Sequence, residues 1–99
     1  MVTFYELSAA ADQDIQDIYD FATQEYGEDQ AESYTLELEI FLDELVRSPE
    51  MGRRRDEVRT GLRSFPKGHH IIFYRVLTDR IRVVRILHSR RDLTRIFGG

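Results

Sequence analysis

The 99 residues carry 14 Lys and Arg against 18 Asp and Glu, a formal charge of −4, and no cysteine. The missing Cys excludes disulfides, thiolate chemistry and the common structural zinc sites, and no run approaches the roughly 18 consecutive apolar residues of a membrane span. The balance hides a split: residues 1–46 hold 13 acids and no base, whereas residues 47–99 hold all 14 bases, 13 of them arginine, against 5 acids. That bias favours planar forks that grip phosphate or carboxylate over sites needing a titratable amine. The opening residues lack a basic stretch followed by an apolar one, so a cytoplasmic chain with no membrane partner is expected. A chain this short buries about two-thirds of its unfolded surface. A single domain over residues 1–99 with one modest core is therefore expected, and a partner covering apolar surface would stabilise it.

In chain order, Val2–Leu7 reads as a short strand of β-branched and aromatic residues. Ser8 can cap a following helix in which Ala11, Ile15, Ile18, Tyr19, Ala22 and Tyr26 share one arc, with Asp14, Asp17 and Asp20 turned to solvent. Gly27 suits the stop of that helix. A second helix is expected from Glu28 or Asp29 to a point before Pro49. Its main apolar stripe is Ala31, Tyr34, Leu38, Phe41, Leu42 and Leu45; Leu36 and Ile40 lie on the opposite side. An αα-hairpin that turns one stripe to the sheet and the other to the first helix accounts for both, while a partner awaiting Leu36 and Ile40 is the alternative. After Pro49–Arg55 the period becomes that of strands, in Val58–Phe65, His69–Thr78 and Arg80–His88. Short links make these antiparallel neighbours, and Arg82 and Arg85 predict a sheet covered on one face and partly open on the other. The expected fold is α+β, of order β-αα-βββ: a two-helix hairpin packed on one face of a small, mostly antiparallel sheet.

Spacing yields no complete catalytic set. His88, Arg90, Arg91 and Asp92 form the densest polar cluster, and a His beside two Arg suits a general acid or base next to phosphate forks. A lone His that caps a strand end, with the arginines paired to acids, explains the same residues. His69 and His70 open a strand and read as edge residues. No metal-ligand spacing or Gly-rich phosphate loop is present, so no cofactor is expected. Arg53–Arg55 reads equally as a contact to nucleic acid or an acidic partner and as counter-charge to the acidic helices.

Several segments carry a resemblance. Leu7-Ser8, Asp14-Ile15, Ile18, Tyr26-Gly27, Gln30-Ala31 and Tyr34 resemble the helical hairpin of ParE toxins in the RelE/ParE superfamily. Ser48–Arg53 is similar to the family's NPELGR turn, and Arg59–Pro66 to its R-x-G-L-R-S-F-P strand. Gly68–Arg75 and Ile86–Asp92 are similar to its G-x-H-x-I-F-Y-R and I-L-H-x-R-x-D segments.

The resemblance implies the toxin of a bacterial type II toxin-antitoxin system, a class tied to plasmid stabilisation, forming a hetero-oligomer with a ParD-like antitoxin that neutralises it. ParE relatives inhibit DNA gyrase by trapping the gyrase-cleaved DNA complex; RelE relatives cut messenger RNA on the ribosome. Lys67 is the only lysine, and Ser89 follows His88 where some nuclease relatives have tyrosine, so the gyrase inhibitor is expected, acting by binding with no catalytic residues of its own. Were the chain a nuclease, Arg63, Arg85 and His88 would be its residues; an inactive relative kept as an antitoxin-binding partner is the third possibility. The family's C-terminal segment implies a target contact through Arg90, Arg91 and Arg95 with Ile96 and Phe97 as apolar anchors; the alternative is that Ile96 and Phe97 tuck back onto the sheet and the arginines are solvated. A helical antitoxin segment implies an apolar groove, for which Phe21, Leu36 and Ile40 are the candidates. No sequence-specific DNA binding by the chain alone is expected.

Overall fold

The computed structural model describes residues 1–90 and 96–97. Its elements run β1 (Phe4–Leu7), α1 (Ala9–Tyr26), α2 (Glu28–Arg47), β2 (Arg53–Arg54), β3 (Leu62–Lys67), β4 (His70–Val76) and β5 (Arg80–His88). The strands form one sheet in the order β1-β5-β4-β3-β2. β1 runs parallel to β5 after the crossover through both helices, and every other pairing is antiparallel. No helix among the described residues is long and apolar enough to cross a membrane.

Local chemistry sets the helix limits. Ser8 caps α1, its Oγ accepting from the Ala11 N–H at 2.9 Å while donating to the Val84 carbonyl at 2.7 Å. One hydroxyl thus ends the strand, starts the helix and ties it to β5. Gly27, at φ 93°, adopts a backbone that L side chains avoid, and the chain reverses there directly into α2. Pro66 is tolerated in β3 because β2 pairs only with Arg63 and Ser64, leaving the Pro66 edge without a ladder bond to donate.

The hairpin packs on the inner sheet face, where Leu38, Phe41, Leu42 and Leu45 meet Ile72, Tyr74, Ile81, Val83 and Ile86. The outer face is partly open, as expected, with Arg75 and Arg82 at its surface, but part of it is covered. Leu62, Phe73, Leu87 and Phe97 form a second buried cluster there, with Val58, Ile71, Val84 and Ile96 against it. A register shift at Phe73/Tyr74 opposite β5 lets both clusters draw on one strand: Ile81 and Val83 serve the inner face, and Ile86 follows in the even register.

Four expectations are corrected. The strand anticipated from Val58 begins at Leu62, because residues 55–61 fold into a turn in which the Arg59 N–H donates to the Arg55 carbonyl and Leu62 N–H to that of Arg59. β2 was not foreseen, since two residues carry no period. Leu36 and Ile40 do not face α1; at 56% and 52% exposure they belong to neither cluster, because Ala31, Leu38, Phe41, Leu42 and Leu45 alone fill both contacts of α2. Asp14 does not face solvent.

Asp14 is 8% exposed. Its Oδ2 accepts from Arg85 Nε at 2.8 Å and from the Ile86 N–H at 2.9 Å, and its Oδ1 from Arg85 Nη2 at 2.9 Å. β1 stops pairing at Leu7 opposite Val83, so the carboxylate stands where a strand neighbour would otherwise receive the Ile86 amide. The bidentate geometry matches the guanidinium fork. Removing the carboxylate leaves a partly buried cation and a buried amide unmet, so D14A should lose about 3 kcal/mol of stability. D14N, which retains one acceptor, should lose less; urea unfolding of both variants measures the difference.

Candidate functional site

The hairpin leaves part of the inner face uncovered at the ends of β4 and β5. A cleft of about 820 Å³ opens there, walled by Asp17, Ile18, Phe21 and Tyr26 of α1 and by Gln30 and Tyr34 of α2, over His70, Ile86 and His88. Phe21, 60% exposed, forms its outer lip. Tyr34 reaches across to the β3–β4 turn and lies over Gly68, where a Cβ would come within 2.7 Å of its hydroxyl.

A hydrogen-bond chain orders the floor. The His69 N–H donates to the Tyr34 hydroxyl at 3.1 Å; that hydroxyl lies 2.6 Å from His70 Nδ1 and 3.4 Å from the Lys67 carbonyl. Burial, reinforced by His88 and then His69, pushes the His70 imidazole down to about 4, so it is neutral near pH 7. The same burial raises the Tyr34 phenol. His70 was expected at an edge, but it shares the inner face with Ile72 and Tyr74 and packs edge-on to His88 at 5.6 Å between centroids. His88 Nδ1 accepts from the Arg90 N–H at 3.2 Å and so turns the end of β5.

The three residues named for a nuclease do not converge. Arg63 Nη1 donates to the carbonyls of Gly52 at 2.8 Å and Glu50 at 3.3 Å, bracing the Pro49–Gly52 turn. The buried Tyr74 hydroxyl holds that turn from below, accepting from Gly52 N–H at 2.8 Å and donating to the Pro49 carbonyl at 2.9 Å. Arg63 stands opposite Tyr74, four residues along β4 from His70, hence roughly 13 Å up the sheet from His88. Arg85 is committed to Asp14, whose hydrogen bonds raise its pKa further.

The antitoxin candidates divide as well. Phe21 lines the cleft, whereas Leu36 and Ile40 lie elsewhere on α2 and do not. Of the target-contact candidates, Arg90 is exposed at the strand end, Ile96 is half-buried on the outer face, and Arg91 and Arg95 lie outside the described residues. Phe97 is 5% exposed. Its ring packs edge to face on Phe73 at 5.1 Å, so its apolar area is already used within the chain and it offers no free anchor.

The sequence model of the family described as "ParE toxin of type II toxin-antitoxin system, parDE" matches residues 5–93. The chain belongs to the ParE toxin family. It is 42% identical to Toxin ParE1 of Mycobacterium tuberculosis over 96 residues, covering 96% of this chain and 98% of that one. It is 36% identical to Toxin ParE1 of Caulobacter vibrioides over 85 residues, covering 86% and 88%. A solved chain described as "Chromosomal ParDE TA system from P. aeruginosa" shares the fold, with a TM-score of 0.75 at 20% identity over 89% of this chain and 96% of that one. In this ParE toxin, then, the motif turn at Pro49–Gly52 is explained by Arg63 and Tyr74, both of which bind its backbone.

Asp14, Tyr34 and His70 are the site residues that spacing missed, although each left a trace. Asp14 falls within the buried arc of Ala11, Ile18 and Ala22, and His70 alternates with Ile72 and Tyr74. Because His70 binds a proton more readily unfolded than folded, the unfolded state gains protons between pH 6.5 and about 4. Stability should therefore fall as pH drops from 6.5 toward 5, before most carboxylates titrate. In H70Q that slope should flatten, as urea midpoints across this range will record.

Proposed function

We propose that this ParE toxin inhibits DNA gyrase by binding, holding the enzyme with cleaved DNA, and that a ParD-like antitoxin neutralises it by direct contact. The first part is supported by the dispersal of Arg63, Arg85 and His88 among three structural tasks, so that among the described residues these three do not assemble into an acid-base and phosphate-fork set. Charge supports an anionic target. Arg75 and Arg82 stand opposite one another on the outer face, an arrangement that repels unless an anion covers it. Glu6 answers Arg82 at 3.1 Å but also serves Arg80 at 2.8 Å. Arg53 and Arg54 on β2 are paired with Glu57 at 3.7 Å and Asp56 at 3.0 Å, and Arg90 stands exposed just past the end of β5.

For the antitoxin, the reading is supported by the exposed apolar residues of an otherwise acidic hairpin. The structural relative comes from a ParDE system, which makes a ParD-type partner the natural one here. An antitoxin segment with an apolar side chain beside Phe21 and basic flanks toward the 13 acids of residues 1–46 would match both. Leu36 and Ile40 form a second, separate contact on α2. The complex would be cytoplasmic.

Two measurements check these readings. Purified toxin in excess should stop gyrase supercoiling and accumulate cleaved DNA, with activity restored by antitoxin; normal supercoiling together with cutting of ribosome-bound messenger would reverse the assignment. F21E should bind antitoxin at least tenfold more weakly, about 1.4 kcal/mol, with an unchanged unfolding midpoint, as calorimetry and urea titration will show.

A further inference from the structure

One row across the sheet, near the start of β5, is charged. Glu6, Arg82, Arg75 and Leu62 are successive cross-strand partners on β1, β5, β4 and β3. Leu62 belongs to the outer cluster, which places the row on the outer face. Two residues back along β1 and β5, Phe4 and Arg80 stand opposite each other on that same face. Arg80 and Arg82 are therefore about 6.6 Å apart along the strand. Arg82 and Arg75 are direct neighbours, at the about 5 Å between Cβ atoms of such a pair.

Two carboxylates meet these three guanidinium groups. Glu6 Oε1 accepts from Arg80 Nε at 2.8 Å and from Arg82 Nη1 at 3.1 Å, and Asp79 Oδ1 accepts from Arg80 Nη1 at 2.8 Å. Among the described residues no carboxylate pairs with Arg75. It lies instead against Gly61, where an added Cβ would come 3.6 Å from Nη1. The carboxylates thus hold two forks in place, and most N–H donors of the three arginines remain for a further acceptor. Phe4 stands beside them, 45% exposed and in neither buried cluster. An acidic peptide would use the forks and leave the ring idle, and a duplex would offer phosphates with its base faces hidden. A single strand uses both, with phosphates on the forks and an unpaired base stacked on the ring.

We propose that Arg75, Arg80 and Arg82, together with Phe4, bind single-stranded nucleic acid on the outer face, its phosphates on the guanidinium groups and one base on the ring. Nothing in this contact reads base edges, so it is indifferent to sequence. The site depends neither on the gyrase reading nor on the antitoxin cleft, which opens on the inner face.

The test is fluorescence anisotropy of the full chain with labelled oligo(dT) and oligo(rU) of about 20 nucleotides, a length several times the contact. Raising NaCl from about 50 to about 200 mM should weaken native binding about twentyfold, as three neutralised phosphates require. R75Q should bind at least fivefold more weakly at the lower salt and lower the salt slope by about 0.7. F4L should lose at least threefold with the slope unchanged, because a stacked base carries no counterion. R47Q, which removes the same charge from the last turn of α2, should bind as the native chain does. Because R75Q relieves a like-charge contact, its urea midpoint should not fall. Binding of either oligonucleotide supports the site, and the tighter one names DNA or RNA as its source. No anisotropy change at the lower salt, equal losses in R47Q and R75Q, or a lowered R75Q midpoint would each overturn the proposal. So would a duplex of the same length that binds more tightly than both single strands, or poly-glutamate that displaces them at equal charge. Gyrase inhibition by a chain that binds neither oligonucleotide overturns this site alone.

Discussion

The Asp14 carboxylate governs how the helical hairpin lies on the sheet. β1 is only four residues long, so β5 leaves it behind after Val83 and runs on with one edge unpaired. That edge would be costly to bury. Ser8 takes the Val84 carbonyl and Asp14 takes the Ile86 amide with the Arg85 fork, so the first two turns of α1 perform the work of a missing strand. The helix cannot shift along β5 without leaving a buried amide or a buried charge unmet. Because the contact sits early in α1, the later part of the helix extends past the strand ends, and the cleft between Phe21, Tyr34, His70 and His88 is the space that remains.

The register shift in β5 follows from the same demand for two buried faces. A strict alternation through Ile81, Val83 and Arg85 would turn Ile86 outward. One irregularity near Val84 returns Ile86 to the inner core and gives Leu87 to the outer cluster, while Arg85 reaches Asp14. The outer cluster then lets the chain end serve as packing. In a chain of this size that second cluster matters, since the hairpin side alone offers a modest core. Most of the arginines stand on the sheet and its loops and most of the acids on the helices, so the two sides of the molecule favour partners of opposite charge.

Much of this was legible in the residues. Both helices, their junction at Gly27, the Ser8 cap and the Arg80–His88 strand carry strong local signals, because period and capping act over a few neighbouring positions. The family motifs were legible too, and the structure gives their physics: Arg63 and Tyr74 hold the Pro49–Gly52 turn. What could not be read were the contacts joining distant positions. Asp14 looked like one of three solvated aspartates because its partners lie 71 and 72 residues away. Tyr34 and His70 looked like a core aromatic and an edge histidine for the same reason, standing 36 positions apart. Phe97 could be read either as an anchor or as packed on the sheet, because nothing in its own neighbourhood announces Phe73 or Arg59. Leu36 and Ile40 could be read as packed or as awaiting a partner, because their spacing matches a helix stripe and only the structure shows that the opposing stripe fills the core by itself.

The most direct test of the Asp14 constraint is native-state hydrogen exchange at the Ile86 amide. If Asp14 replaces a strand neighbour, this amide should exchange only through global unfolding, with the same free energy as the central β4 amides of Ile72 and Tyr74. Exchange at the rate of a frayed edge, while those β4 amides stay protected, would contradict the account and release the helical hairpin from the role assigned to it.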